Sequence, residues 1–118
     1  MILEKVKRND SSIISSEAIA SIADSQVLAL LYQPIIGVQA YTLYMTLMNL
    51  IDRQNLTSDE YLHSDLESIL NLDINQIEQE RFKLEAIGLL DTFFSGDQFS
   101  YELKLPLSAR SFVNDGVL

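Results

Sequence analysis

Residues 64–105 read SDLESILNLDINQIEQERFKLEAIGLLDTFFSGDQFSYELKL. Ser64-Asp65-Leu66-Glu67 has the form of a capping box, in which a hydroxyl and an acid three residues on satisfy each other's free backbone N–H groups. It predicts a short helix to about Asn71, with Leu66, Ile69 and Leu70 as its inward stripe. Leu72 to Ile74 make a turn. Asn75-Gln76-Ile77-Glu78 repeats the cap pattern and opens a second helix through Ile77, Leu84 and Ile87. Gly88 stands where glycine closes a helix. Leu89 to Phe94 then reads as a strand and Ser95-Gly96-Asp97 as a turn. In the next strand Phe99, Tyr101, Leu103 and Leu105 alternate with Gln98, Ser100, Glu102 and Lys104, a period of two with one buried face. Pro106 ends it. Helix, turn, helix and hairpin in this order predict a winged helix: a mainly α fold with a small β-hairpin and extra elements before it.

This layout usually reads DNA, but the charge has the wrong sign. The stretch carries nine acids (Asp65, Glu67, Asp73, Glu78, Glu80, Glu85, Asp91, Asp97, Glu102) against three bases (Arg81, Lys83, Lys104). Affinity for nucleic acid comes largely from cations that neutralise phosphates and release counterions. The whole chain of 118 residues has net charge −9, which favours solubility and disfavours nucleic acid or an anionic membrane as direct ligand. The second helix offers Gln76, Gln79, Arg81 and Lys83 to a groove, but Glu78, Glu80 and Glu85 on the same helix oppose phosphates. A surface of this kind points to a protein as the thing recognised.

Upstream, Asp24 reads as the N-cap of a helix through Val27, Leu28, Leu30 and Leu31 to Tyr32. Pro34 is expected to stop it and to hold Gln33 extended. Gly37 opens another helix, Val38 to about Gln54, apolar around most of its circumference and so expected to be buried on all sides, one of them by another subunit. Ser25 to Ile51 contains no Asp, Glu, Lys or Arg. Its length would suit a bilayer, but Pro34 and Gly37 interrupt it and polar residues dilute it, so two buried helices are expected instead. Residues 1–23 are the hardest to place; Ser12 to Ser15 reads as a short strand, and the segment as a partly ordered extension before a winged helix over 24–118. The last dozen residues read as a tail or a short helical turn.

Enzyme chemistry finds little footing. With no cysteine, thiolate catalysis, disulfides and Cys-based zinc sites are out, and a cytoplasmic setting fits. The one histidine, His63, lies near Asp59, Glu60 and Asp65, yet without a second His or any Cys it reads as a solvated residue ahead of a helix cap. Asp73-x-Asn75 resembles the start of a calcium loop, but Glu78 occupies the glycine position and Leu84 the bidentate glutamate position. The four glycines are isolated, so no phosphate-cradling loop exists. No catalytic, cofactor-binding or metal residues are assigned. The candidate contact residues are Tyr41, Tyr44, Met48, Phe82, Phe99 and Tyr101. Phe82 stands out because at 100° per residue it falls about 140° from Ile77, off the core stripe, either as an anchor for a partner or packed under the wing or the N-terminal segment.

Leu31-Tyr32-Gln33-Pro34-Ile35-Ile36-Gly37, followed by Ala40-Tyr41 and Leu43-Tyr44-Met45-Thr46-Leu47, resembles the N-terminal domain of the DnaB/DnaD-type primosomal helicase-loading proteins of Gram-positive bacteria. So do Lys83-Leu84-Glu85-Ala86-Ile87-Gly88-Leu89-Leu90 and the closing Phe112-Val113-Asn114-Asp115-Gly116-Val117-Leu118. The likeness covers roughly residues 24–118 and is closer to the DnaB type, the replication-initiation and membrane-attachment proteins. It implies a winged-helix oligomerisation module, a dimer or tetramer at the front of a longer protein, meeting other primosomal proteins through the full-length chain. DNA contacts would lie in other domains, and membrane association would be indirect. The competing readings are a DNA-binding winged helix of a transcription regulator and a peripheral membrane module built on the charge-free stretch.

Overall fold

The computed structural model describes residues 5–107. The tail expected over the last dozen residues, with the Phe112–Leu118 motif, lies outside them. The elements are β1 (Ser11–Ser16), α1 (Ile22–Val27), a π-helical turn (Leu28–Tyr32), α2 (Gln33–Ile36), α3 (Val38–Leu50), β2 (Tyr61–Leu62), α4 (His63–Leu70), α5 (Ile74–Ala86), β3 (Leu90–Ser95) and β4 (Gln98–Leu103). Helices α4 and α5 with the β3–β4 hairpin form the expected helix-turn-helix and wing.

The wing belongs to a larger sheet with strand order β2-β1-β4-β3. β1 runs parallel to β4, from Ser11 opposite Gln98 to Ser16 opposite Leu103, and antiparallel to β2. The segment read as an extension therefore supplies an inner strand, with Ile14 fully buried. The loop after α3 holds it there: Ser58 N–H donates to the Ile14 carbonyl at 2.8 Å, and Ile14 N–H to Ser58 Oγ at 2.9 Å.

Pro34 does not stop the first helix. Ser21 is its cap, in a reciprocal box with Asp24, and the helix continues to Ile36. Gln33 is helical (φ −56°, ψ −42°), not extended. Proline removes one N–H and crowds the carbonyl four residues back; widening the preceding turn to π geometry gives that carbonyl room. Gln33 N–H accordingly bonds Leu28, five residues back. Gly37, at φ 87° and ψ 169°, makes the actual break.

α3 ends at Leu50, short of the expected Gln54, and only one side of it is buried, through Ala40, Leu43, Tyr44, Leu47 and Met48. Val38, Thr42 and Asn49 face outward. Both later caps sit two residues before their predicted positions. Leu62 caps α4, its N–H donating to Asp65 Oδ2 at 2.9 Å, and Ser64 lies within the helix. Asp73 caps α5 in a box with Gln76. Gly88 behaves as predicted: at φ 81° it lets Leu89 N–H reach the Leu84 carbonyl and its own N–H the Glu85 carbonyl, the paired closure of a helix C-terminus. Phe99, Tyr101 and Leu103 of β4 point into the core, as their alternation required.

Candidate interaction surface

Two buried polar hubs fix the helices against the sheet. His63, the first residue of α4, is fully buried rather than solvated. Its Nδ1 lies 2.7 Å from the Asp10 carbonyl, which can only accept, so Nδ1 carries the proton. Nε2 then accepts from the Tyr101 hydroxyl at 2.6 Å. Burial holds the imidazole below its ordinary pKa against the opposing pull of the Asp10 carbonyl and of the Glu78 and Asp10 charges, while Arg81 adds to the depression. Burial likewise pushes the Tyr101 phenol up.

Arg81 is the second hub. It was expected to reach outward from α5, yet it is 2% exposed. Its guanidinium grips both oxygens of Glu78 at 2.6 and 2.8 Å, Glu85 at 3.0 Å and the Thr92 hydroxyl of β3 at 3.1 Å. It also lies 4.7 Å from the Phe82 ring centroid. Lys83 pairs with buried Glu80 at 2.9 Å. The three carboxylates of α5 are thus all engaged by cations. What α5 presents to solvent is Asn75, Gln79, Phe82, Lys83 and Ala86. The acidity counted along the chain does not reach this face, because pairing draws it inward.

Of the six candidate contact residues, Tyr44, Met48, Phe99 and Tyr101 are core. Tyr44 donates to the Lys104 carbonyl at 2.9 Å, and Phe99 packs on Phe94 and His63. Their side chains offer no surface to a partner in this fold. Tyr41 is half-buried and Phe82 exposed at 36%. Neither is where the exposed apolar surface concentrates.

That surface lies along the helical run from Ile22 to Val38. Ile22 is 83% exposed, Leu30 72%, Ile35 55% and Val38 66%. Beside Ile35 an open groove of about 630 Å³ runs between Pro34–Gly37 and Lys83, Ala86 and Ile87 of the α5 end. Lys83 is its single charged lining residue. Leu30 reads in the sequence as part of a helix and Ile22 as part of a segment hard to place, so neither stands out there as exposed; the absence of charge over 25–51 was the available signal for the rest. The enclosed space between Leu43, Leu66, Arg81 and Tyr101 is about 10 Å³, at most one water. Among the described residues no group of His, Cys, Asp or Glu is placed to hold a metal ion, and no helix is long and apolar enough to cross a membrane.

Helix-turn-helix, wing and an interleaved N-terminal strand define a winged-helix domain. The family described as the DnaB N-terminal winged helix domain matches residues 6–118, and the chain belongs to that family. It is 35% identical over 97 residues to the replicative helicase loading/DNA remodeling protein DnaB of Staphylococcus aureus, a match covering 79% of this chain and 21% of that protein. It also matches the crystal structure of primosome protein DnaB (residues 1–300) from Geobacillus stearothermophilus with TM-score 0.86 and 36% identity, over 97% of this chain and 45% of that one. The chain thus spans about a fifth of the curated relative and under half of the solved chain.

Proposed function

We propose that this domain is the oligomerisation and protein-contact module of a DNA replication initiation protein that helps load the replicative helicase at an origin. The relatives' descriptions as a helicase-loading protein and a primosome protein support the process. The observation that carries the association role is the exposure of Leu30, Ile35 and Val38, within the stretch 25–51 that holds no charged residue, on a chain of net charge −9. Contiguous apolar surface on a small soluble domain marks a contact site, and an acidic chain meets its own copy most cheaply where neither side brings charge. The associating unit is the winged helix from residue 24 onward, with β1 of the first 23 residues built into its sheet. Its role is assembly, as a dimer or tetramer, with other primosomal proteins engaged through the longer protein. It works in the cytoplasm, and any membrane association is indirect. Light scattering at high micromolar concentration tests this: an oligomer is expected, and a strict monomer sinks it. Leu30→Glu with Ile35→Glu should shift the oligomer toward smaller species while leaving the melting curve in place.

One observation favours direct DNA contact as a second reading. The outward face of α5 shows Asn75, Gln79 and Lys83 with no unpaired carboxylate. A duplex titration at low salt decides it; binding that weakens steeply with salt supports it, and no binding removes it.

A further inference from the structure

Among the described residues the sheet ends in a strand with no further strand beside it. β3 is an edge of the four-stranded sheet, six residues long. Exposed edges are normally blunted by proline, a bulge, a lysine or a very short strand, because their free N–H and C=O groups template pairing with another chain. β3 has none of these. Its one charge is Asp91 near the start, 3.7 Å from Lys104, and its middle reads Thr92-Phe93-Phe94. Strand propensity is high for all three.

The register says which groups are free. Ser95 and Gln98 flank the two-residue turn Gly96-Asp97, so they exchange both hydrogen bonds of the pair. Phe93 and Asp91, two and four residues back, also bond inward to β4. Leu90, Thr92 and Phe94 therefore aim their backbone groups away from β4; Leu90 is covered at 1% exposure, which leaves Thr92 and Phe94 as the open positions. On the outer face of the sheet Phe93 is 53% exposed, and Ile13, Ser100 and Phe93 lie side by side across three strands.

We infer that β3 pairs antiparallel with β3 of a second copy, centred on Phe93, so that two sheets join into one. This deepens the self-association reading and rests on it; it adds a strand contact separate from the helical ridge. The register is self-complementary. Phe93 meets Phe93 of the second copy on the outer face, and each Thr92 meets a Phe94 with both backbone bonds made. Each Asp91 falls opposite a Ser95, so like charges stay apart, whereas an arrangement setting Asp91 against Asp91 would repel. A heterologous acidic or basic strand would gain nothing from this uncharged middle.

The chain has no cysteine, so single substitutions report the register cleanly. Facing residues of a non-hydrogen-bonded antiparallel pair stand about 4.5 Å apart at Cα, within the disulfide range of about 4.4 to 6.8 Å. Under mild oxidation Phe93→Cys should form covalent dimers. Asp91→Cys and Ser95→Cys should not do so singly but should cross-link when mixed. Phe93→Lys should keep the fold, checked by its circular dichroism melt, and weaken association about tenfold by setting two cations opposite each other. Unmodified protein that is monomeric by light scattering overturns the self-association reading and this one with it. Association that survives Phe93→Lys, with no cross-link from Phe93→Cys, overturns strand pairing alone. So does equal cross-linking by all three cysteine variants, or a strand contact seen only with a different protein.

Discussion

His63 and Arg81 carry predictions of opposite kinds. His63 is neutral in the fold, its Nδ1–H given to the Asp10 carbonyl and its Nε2 taken by Tyr101. Because burial lowers its pKa, the unfolded chain binds more protons once the pH drops below the ordinary imidazole value. Stability from this site is therefore complete above about pH 6.5 and falls as the pH drops from there toward the folded-state pKa. Urea unfolding between about pH 7.5 and 5.5 should show this slope, and His63→Gln should flatten it at some cost in overall stability. A slope unchanged in His63→Gln would assign it to other groups. Arg81 is the reverse case, a charge kept buried by its partners. Removing it strands Glu78 and Glu85, whose second oxygen already lacks a hydrogen-bond partner among the described residues. Arg81→Ala should cost about 3 kcal/mol in denaturant unfolding, well above the cost of trimming an exposed arginine. Neither hub was legible in the sequence. A lone histidine in a polar loop and an arginine on a helix of alternating charge both read as solvated; Tyr101, far along the chain, makes the first core, and the packing of the hairpin's Thr92 against α5 makes the second.

At the scale of elements, what was legible was local. The hairpin, its alternation, the closure at Gly88 and the two helices of the helix-turn-helix follow from residues within a few positions of one another. The caps were misplaced by two or three residues, because several Ser, Asp and Asn choices compete near each helix start. Pro34 misled more seriously: the rule that proline ends a helix gave way to a π turn, which the sequence does not signal. The inner position of β1 was hidden for another reason. Its partner β4 lies some eighty-seven residues downstream, and a parallel pairing leaves no turn to read. Two measurements test these elements. Gly37 has a backbone conformation open in practice only to glycine, and an added Cβ there meets empty space, so Gly37→Ala should cost about 1–3 kcal/mol from backbone strain alone. Ile14 is fully buried in β1, and Ile14→Ala should cost about 3 kcal/mol and lower the thermal midpoint by several degrees. A loss of only a few tenths in the second case would mean that β1 is not part of the cooperative unit.

For the whole molecule the governing fact is charge. Seventeen acids against eight bases leave −9 on a particle 41 × 30 × 24 Å across. Two copies approaching each other repel over a distance set by the ionic atmosphere, about 30 Å at about 0.01 M salt but about 8 Å at about 0.15 M. At low salt the repulsion reaches about as far as the molecule's 30 Å middle dimension; near physiological salt it is confined to groups close to the contact. The surfaces assigned to association, the ridge and the middle of β3, are uncharged, so salt has little there to weaken. Raising salt should therefore strengthen self-association. This is the reverse of nucleic-acid binding, in which each phosphate contact makes added salt weaken the complex. Sedimentation velocity at the two salt concentrations separates the cases. A dissociation constant that falls on adding salt places the contact on the uncharged surfaces. One that rises would show that ion pairs such as Lys83 with a partner carboxylate hold the copies together, and that the apolar ridge does not.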